Sequence, residues 1–284
     1  MAVKLDGKKL SNEICENLKG EINELKKKGI FPKLAVILVG DDPASQIYVR
    51  NKHRRAEKLG IQSLDLHLPR IVTEAELLEK VKELNADPTV HGILVQLPLP
   101  KQIDPDKVIN AISPFKDADG FHPYNLGRLF MNDPFSIPCT PNGIMHLLKA
   151  YDLSVDGKNV VIIGRSKIVG RPLAALMINQ SATVTVTHSH TKNLKEITKK
   201  ADVLVSAVGK AGFIHGEDVK PGAIVIDVGI NRNAAGKLVG DVVQKQVEQI
   251  AGYLTPVPGG VGPMTIAMLM KQTVELAKWS ALKR

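Results

Sequence analysis

Cysteine and aromatic residues are scarce in this sequence, and their scarcity excludes several classes of protein. The 284 residues include only two cysteines, Cys15 and Cys139. These are too few for a disulfide framework, and they lack the Cys-x-x-Cys spacing of a zinc site. Aromatic residues are 4% of the chain, and no basic run alternates with them as it does in proteins that bind single-stranded nucleic acid. We therefore expect neither a metal site nor a nucleic-acid partner.

A long apolar run is also missing. The N-terminal segment from Met1 to Asp6 lacks the apolar core of a signal peptide, and no stretch is long enough to span a bilayer. We therefore expect a cytoplasmic protein that does not bind membranes and keeps its thiols reduced.

The remaining composition is that of a globular protein with a basic surface. Hydrophobic residues are 44% of the chain, charged residues are 24%, and the formal net charge is +9. A positive field concentrates ligands that carry phosphate or carboxylate groups, although a basic, well-solvated surface without a specific ligand is the alternative. The length favours two α/β domains with a cleft between them.

The first half alternates short apolar runs with helical patterns. The run at residues 33–39 is rich in β-branched residues and ends at Gly40, which predicts a buried strand. Asp42 and Pro43 predict the start of a helix that continues to Leu59 and stops at Gly60. A strand, a helix and a strand follow near 61–68, 74–84 and 92–97. This alternation predicts parallel strands with crossover helices in a first domain at residues 1–140.

The second half repeats the alternation. Proline and glycine cluster between Ser113 and Gly143, and a linker helix is predicted from Asn142 to Tyr151. Apolar strands then recur at 158–163, 182–187, 202–206 and 223–228. They predict a second parallel sheet, of the Rossmann type, in a domain at residues 141–263. A final helix at about 264–284 is expected to pack back on the first domain.

The segment from Gly164 to Gly170 lies between a predicted strand and a predicted helix, where a Rossmann domain binds the pyrophosphate of its cofactor. Gly164 would allow a tight turn, and Gly170 would let the helix start close to the strand, so that its N-terminal amides face phosphate oxygens. Ser166 replaces the middle glycine of the usual Gly-x-Gly-x-x-Gly pattern. An ordinary strand-to-helix turn is therefore the alternative.

The residues around this turn favour NADP over NAD. An NAD site commonly has an Asp or Glu at the end of the second strand to bind the ribose hydroxyls. Here that strand is followed by His188, Ser189 and His190, and Arg165 in the turn offers a guanidinium suited to a phosphate. The alternative for the two histidines is a pair of surface imidazoles, because a metal site would need a third ligand.

Five ordered motifs resemble one family over essentially the whole chain. The motifs are Tyr48-Val-x-x-Lys52, Gly92-Ile-Leu-Val-Gln-Leu-Pro-Leu-Pro100, Lys116-Asp-Ala-Asp-Gly-Phe-His122, Gly164-Arg-Ser-x-Ile-Val-Gly170 and Thr255-Pro-Val-Pro-Gly-Gly-Val-Gly-Pro-Met-Thr265. They are similar to those of the bifunctional methylenetetrahydrofolate dehydrogenase/methenyltetrahydrofolate cyclohydrolase family. The resemblance implies NADP-dependent oxidation of 5,10-methylenetetrahydrofolate to the methenyl form, hydrolysis of that product to 10-formyltetrahydrofolate, and a homodimer built through the second domain.

The resemblance assigns the chemistry to residues of the first domain. Tyr48 and Lys52 are four residues apart on a predicted helix and project from one face. By resemblance Lys52 is the central catalytic residue. A lysine enclosed beside a cationic substrate has its ammonium form disfavoured, and a neutral amine can activate water.

The other substrate residues follow two strands. Gln96, at the carboxyl end of an apolar strand, is implied to hold Lys52 in its working state, with Val95 and Leu97 beside it at the substrate. Asp119 resembles the carboxylate that binds the pterin, since two oxygens can accept two parallel donors. Simpler structural explanations remain: Tyr48 could belong to the core, Gln96 could mark where the strand emerges, and Asp119 could cap Gly120.

The second domain supplies the implied cofactor residues. Pro258, Gly259 and Gly260 form a stiff loop without long side chains, which by similarity borders the folate and the nicotinamide. Further positions along the cofactor are implied at Gly164, Arg165, Ser166, Ile168, Ser189, Val208, Gly209 and Ile230. The chain has His190 where the family commonly has Arg or Lys, and a titrating imidazole is a poorer constant partner for phosphate. We therefore expect NADP preference to persist through Arg165 and Ser189 but to weaken as the pH rises.

Two other functions fit parts of the pattern. A monofunctional NADP-linked dehydrogenase of the same architecture, acting on a different small substrate, could also use Lys52 and Asp119. A nucleic-acid binder with a Rossmann scaffold would instead depend on the basic surface and lose affinity steeply with salt.

Overall fold

The computed structural model describes residues 1–282. The chain forms two compact units, which we name after one residue in each. The Lys52 unit contains residues 13–128, residues 134–137 and the chain from Ile266 onward; the Gly164 unit contains residues 1–12, 129–133 and 138–265.

The strands of the two units are, in chain order, β1 (Val3–Lys4), β2 (Lys33–Val39), β3 (Gln62–Leu68), β4 (Gly92–Val95), β5 (Asn159–Ile163), β6 (Thr183–Thr187), β7 (Val203–Ser206), β8 (Ile224–Asp227), β9 (Asn231–Arg232), β10 (Leu238–Val239) and β11 (Tyr253–Leu254).

The α-helices are α1 (Gly7–Lys27), α2 (Pro43–Leu59), α3 (Glu74–Ala86), α4 (Pro105–Ala111), α5 (Pro123–Phe130), α6 (Cys139–Ala150), α7 (Gly170–Ile178), α8 (Leu194–Thr198), α9 (Gln244–Val247) and α10 (Val261–Leu282), and a single 3₁₀ turn spans Gly216–Asp218. Within residues 1–282 no helix is both long enough and apolar enough to cross a bilayer.

The Lys52 unit is built on a parallel sheet of order β3-β2-β4. Its central strand β2 is buried from Leu34 to Val39, as its apolar sequence predicts. Helix α2 begins where the Asp42 carboxylate accepts a hydrogen bond from the Ser45 amide at 2.8 Å, and it ends at Gly60, whose φ is 80°. The predicted strands and helices of the first half are therefore confirmed, and the signals that delimit α2 act as expected.

The Gly164 unit is built on a parallel sheet of order β1-β11-β8-β7-β5-β6. Alternate residues of β5 enter different cores: Val160 and Ile162 lie in one cluster, and Val161 and Ile163 in another. Both faces of the sheet are thus covered at β5, which is why this strand is continuously apolar from Val160 to Ile163. The second parallel sheet of Rossmann type is confirmed.

The grouping of the chain differs from the predicted division at its N-terminus. The predicted first domain began at residue 1, whereas the structure groups residues 1–12 with the Gly164 unit. The cause is β1, which pairs in parallel with β11, and Leu5, which is fully buried in a core of that unit. Other predicted boundaries shift by a few residues: α6 begins at Cys139, and β4 ends at Val95. The last two residues of the predicted final helix lie outside the described residues.

A cluster of aromatic side chains packs on α10 in the Lys52 unit. Trp279, the only tryptophan, stacks on Phe115 with ring centroids 4.7 Å apart, and its ring meets Phe135 edge-on at 5.3 Å. Phe115 directly precedes the segment that carries Asp117 and Asp119.

Candidate active site

Lys52 lies on α2 and is only 7% exposed. Its Nζ donates a hydrogen bond to Oε1 of Gln96 at 3.0 Å, and the Gln96 amide donates to the Leu97 carbonyl at 2.7 Å. Within residues 1–282 Lys52 makes no ion pair. The enclosed amine therefore has the neutral Gln96 side chain as its hydrogen-bond partner.

Tyr48 lies one helical turn before Lys52 and is half-buried. Burial raises the pKa of its phenol above the usual value, so Tyr48 remains protonated at neutral pH. On β4, Val95 is buried, whereas Gln96 and Leu97 are partly exposed just beyond the end of this strand. The structure thus brings Lys52, Gln96 and Leu97 into one hydrogen-bonded chain.

The two acidic residues after Lys116 have different surroundings. Asp117 is buried, and its carboxylate accepts hydrogen bonds from the amides of Gly120, Phe121 and His122 at 3.0, 3.2 and 2.9 Å. Asp117, and not Asp119, therefore caps the turn at Gly120. The Asp119 carboxylate accepts no hydrogen bond from the described residues, which leaves its oxygens available to a ligand.

Three side chains hold the backbone beside Asp119 by hydrogen bonds. The ammonium of Lys116 donates to the carbonyls of Leu84, Asn85 and Asp87 at 3.0, 2.8 and 2.7 Å, at the end of α3. Ser136 donates to the Asp117 carbonyl at 2.6 Å, and Gln272 of α10 donates to the Ala118 carbonyl at 2.8 Å. Asp119 therefore projects from a fixed segment.

Desolvation raises the pKa of Asp119 to about 6, against a smaller opposing effect of the Lys52 charge; the Asp117 charge adds to the rise. The influence of Lys52 places the two side chains in one electrostatic environment. A carboxyl group with a pKa so near neutrality, beside an enclosed lysine, is typical of functional sites.

The turn between β5 and α7 requires glycine at both ends. Gly164 has a φ of 118°, and a Cβ there would lie 2.5 Å from the Ala207 carbonyl oxygen. A Cβ on Gly170 would overlap the Gly164 carbonyl oxygen. Ser166, at the position of the missing glycine, accepts hydrogen bonds from the amides of Val169 and Gly170 at 3.1 and 3.3 Å. Its hydroxyl thus caps the start of α7. The backbone at Gly170 lies close to the backbone at Gly164.

Polar residues without a carboxylate follow β6. Ser189 and His190 are exposed, as is Arg165 in the turn after β5. Desolvation lowers the pKa of His188, and the charges of Arg165 and His190 lower it further. His188 is therefore neutral near pH 7, and its Nδ1 accepts a hydrogen bond from the His190 amide at 3.2 Å.

Of the other residues predicted along the cofactor, Ile168 lies in the turn after β5, and the rest follow the carboxyl ends of β7 and β8. Ile168 and Ile230 are exposed apolar residues. The amides of Val208 and Gly209 donate to the Asp241 carboxylate at 2.8 and 3.2 Å, so these N–H groups are already bonded within the protein.

The segment Pro258 to Gly260 is held by α1 and by its own turn. Gly259 has a φ of 109°, and its carbonyl accepts a hydrogen bond from the Lys8 amide at 2.8 Å. A Cβ on Gly260 would lie 2.6 Å from the Pro256 carbonyl oxygen, so the residue before α10 must be glycine.

Several supporting residues were not predicted. Asp227 and Asp241 are buried acids of the Gly164 unit, and burial raises the pKa of Asp227 to about 6. Gln272 and Ser136 hold the Asp119 segment from distant parts of the sequence. Asp227 could have been noticed, because an acid that ends a buried strand lies at the ligand-binding edge of a parallel sheet.

One pocket of about 410 Å³ lies elsewhere, in the Gly164 unit. Lys158, Asp202, Lys220 and Ile224 are among its lining residues, at the amino ends of the strands. None of the predicted site residues lines it.

The fold and these residues define an α/β enzyme with a dinucleotide-binding unit and a separate unit that carries an enclosed lysine. Family models match both parts: the catalytic domain of tetrahydrofolate dehydrogenase/cyclohydrolase matches residues 5–119, and its NAD(P)-binding domain matches residues 138–281. The chain belongs to the tetrahydrofolate dehydrogenase/cyclohydrolase family.

Individual proteins agree with this assignment. The bifunctional protein FolD of Ligilactobacillus salivarius is 61% identical over 280 residues, covering 99% of this chain and 98% of that protein. The crystal structure of the bifunctional enzyme FolD, a methylenetetrahydrofolate dehydrogenase/cyclohydrolase, from Campylobacter jejuni has a TM-score of 0.96 and 52% identity, covering 98% of this chain and 99% of the other.

A third protein was solved with ligands. The N5,N10-methylenetetrahydrofolate dehydrogenase-cyclohydrolase of Trypanosoma brucei, complexed with NADP cofactor and inhibitor, has a TM-score of 0.95 and 40% identity, covering 99% of this chain and 98% of the other.

Proposed function

We propose that this chain oxidises 5,10-methylenetetrahydrofolate with NADP and then hydrolyses the 5,10-methenyl product to 10-formyltetrahydrofolate. The single observation that carries the proposal is the enclosed Lys52, whose partner is the neutral amide of Gln96 at 3.0 Å. The alternative, a monofunctional dehydrogenase for a different small substrate, has no support from the family models or from the relatives described above.

The residues of the Gly164 unit fit NADP. Gly164 and Gly170, at the two ends of the turn where the pyrophosphate would approach, have no room for a side chain, and no acid directly follows β6 where NAD would need one. Arg165, Ser189 and His190 would hold the additional phosphate, with Ile168, Val208, Gly209 and Ile230 along the cofactor. When bound, NADP supplies the acceptor for the hydride.

The Lys52 unit would perform the remaining chemistry on folate. Asp119 accepts the pterin donors, and Tyr48 packs against or hydrogen-bonds to the substrate together with Val95 and Leu97. Lys52, in its neutral form, takes a proton from the water that attacks the methenyl carbon; the bond from that carbon to N5 then breaks as the remaining hydroxyl proton passes to N5, which leaves the formyl group on N10. We further propose that Pro258, Gly259 and Gly260 border the folate and the nicotinamide.

The two activities can be measured separately by absorbance. Methylenetetrahydrofolate with NADP should generate reduced cofactor, and methenyltetrahydrofolate should lose its absorbance in the absence of any cofactor. NAD is tested in parallel. Failure of both reactions with correctly folded protein would refute the proposed function, and an NADP reaction without the second one would leave a monofunctional dehydrogenase.

Replacing Lys52 separates the two steps. Lys52→Met should abolish cyclohydrolase activity and leave appreciable dehydrogenase activity, because only hydrolysis needs a proton acceptor at this position. Lys58→Met is the matched control, since Lys58 lies on the same helix and is exposed. Equal loss of both activities in Lys52→Met would contradict this division of roles.

The chain is also proposed to act as a cytoplasmic homodimer built through its Rossmann-type domain. Sedimentation equilibrium of the purified protein tests the oligomeric state directly. A monomer that retains both activities would remove the dimer from the proposal.

A further inference from the structure

Two buried acids join three segments of the Gly164 unit. Asp227 is 1% exposed and ends β8, and Asp241 is 0% exposed and follows β10. Neither was assigned a role in the chemistry above. Their neighbours are almost entirely backbone amides at the carboxyl edge of the six-stranded sheet.

Asp241 accepts hydrogen bonds from two loops. From the loop after β7, Oδ2 accepts the amides of Val208 and Gly209 at 2.8 and 3.2 Å, and Oδ1 accepts the amide of Lys210 at 2.9 Å. The Ser206 hydroxyl donates to Oδ2 at 3.2 Å, at the end of β7 itself. From the start of β9, directly after the loop that follows β8, the Asn231 side-chain amide donates to Oδ1 at 3.0 Å.

The Asp227 carboxylate holds the backbone around Asp241 by accepting hydrogen bonds from it. Its Oδ1 accepts the amides of Gly229 and Asp241, both at 2.9 Å, and its Oδ2 accepts the amide of Val242 at 3.0 Å. A Cβ at Gly229 would overlap Asp241, and a Cβ at Gly240 would overlap Asp227. The acids thus lie directly against the backbone, at positions where only glycine fits.

The loops joined by this pair contain three of the residues predicted along the cofactor. Val208 and Gly209 lie in the loop after β7, and Ile230 lies between Gly229 and Asn231. Every described partner of the Asp241 carboxylate is a donor, so a group that only accepts is required. An asparagine would turn an amide donor toward these N–H groups, and at least one N–H group would lose its hydrogen-bond acceptor.

We propose that Asp241, held by Asp227, is a positioning residue that sets the two loops in the arrangement that NADP requires. The inference rests on the proposed cofactor role of Val208, Gly209 and Ile230. Asp241 itself has no contact with the reacting atoms and acts only through the backbone. Loosening the loops should therefore weaken NADP binding without changing a reaction that uses no cofactor.

The experiment compares Asp241→Asn with the wild type in the full-length protein. The KM for NADP in the dehydrogenase reaction should rise about tenfold or more, equivalent to about 1.4 kcal/mol per tenfold step. Cyclohydrolase activity, measured without cofactor, should stay within about twofold. A merely structural role would lower both activities together.

Asp202→Asn is the matched control. Asp202 is a carboxylate of the same sheet that accepts the Asn159 amide at 2.9 Å and pairs with Lys220 at 2.6 Å, but it lies at the amino ends of the strands. Its replacement should leave the KM for NADP unchanged. An equal rise in both variants would overturn the proposal.

A second variant decides the case if Asp241→Asn does not fold. Asn231→Ala removes one donor to Asp241 and should raise the KM for NADP by a smaller factor, again without effect on the cyclohydrolase. An unchanged KM in a folded variant would overturn the positioning role. Absence of NADP-dependent oxidation in the wild type would instead refute the proposed function, so the two failures are distinguishable.

Discussion

Asp117 and Asp119 are two residues apart, yet their carboxyl groups differ in what surrounds them. Asp117 is satisfied by the amides of its own turn and by Asn125, whose Nδ2 lies 2.9 Å from it. Asp119 has no such donors among residues 1–282, and desolvation raises its pKa to about 6. The energetic cost of an unpaired carboxylate at Asp119 is what a bound ligand with N–H donors would remove.

This pKa predicts a pH dependence for folate use. The carboxylate that we propose accepts the pterin donors forms as the pH rises through the pKa of Asp119, which is about 6. Below that pH, kcat/KM for methylenetetrahydrofolate should fall about tenfold per pH unit, because kcat/KM follows the ionisation of the free enzyme. Above it, kcat/KM should level off.

The variant Asp119→Asn is expected to lose this acidic limb and to have a lower plateau. Steady-state rates between about pH 5 and pH 8, at saturating NADP, provide the measurement. An acidic limb of the same midpoint in the variant would assign the titration to another group.

The sequence predicts some individual residues and not others. The spacing of Tyr48 and Lys52 on a helix, and the position of Gln96 after a buried strand, are local patterns that the structure reproduces. The role of Asp241 depends on amides about thirty positions earlier in the chain, so no local pattern could reveal it. Which of the two acids, Asp117 or Asp119, caps the turn at Gly120 likewise depends on how that turn folds.

Strand β1 is short but has a large effect at the scale of elements. Strand β1 has only two residues, Val3 and Lys4, but the next side chain, Leu5, is fully buried in the core of the Gly164 unit. Leu5→Ala should lower the free energy of unfolding by about 2–5 kcal/mol, the usual cost of such a cavity. Val3→Ala is the control, because Val3 lies two residues before Leu5 and is 50% exposed.

Urea unfolding followed by circular dichroism measures both variants. Equal stability of Leu5→Ala and Val3→Ala would mean that the N-terminal segment contributes little to this unit.

Helix α1 has one buried face, and the spacing of its buried residues can be found in the sequence. Its buried residues are Ser11, Cys15, Leu18, Ile22 and Leu25, spaced three and four apart as one face of a helix requires. The polar residues between them obscure the pattern. By contrast, the apolar strands β2 and β5 are continuous runs and are therefore easily predicted.

At the scale of the whole molecule, both units are assembled from separated segments. The chain passes between them after residues 12, 128, 133, 137 and 265. A prediction that places boundaries at single positions cannot describe such units, because pairing of β1 with β11 joins residues about 250 positions apart. The fold class was predictable from alternation, whereas the membership of the first twelve residues was not.

The net charge of +9 predicts a dependence on ionic strength. Both proposed substrates are anionic, and salt screens the field that concentrates them over roughly 10 Å at 0.1 M. Therefore kcat/KM for NADP should fall several-fold between about 0.05 and 0.5 M salt, with a smaller change in kcat. Rates in sucrose solutions serve as a viscosity control, and salt-independent kcat/KM would exclude a steering role for the basic surface.

The single tryptophan gives the molecule an intrinsic optical label. Trp279 stacks on Phe115, which precedes the segment that presents Asp119. Its emission should therefore report on the Lys52 unit alone, since the Gly164 unit contains no indole. Fluorescence can thus follow the folding of one half of the protein without any added dye.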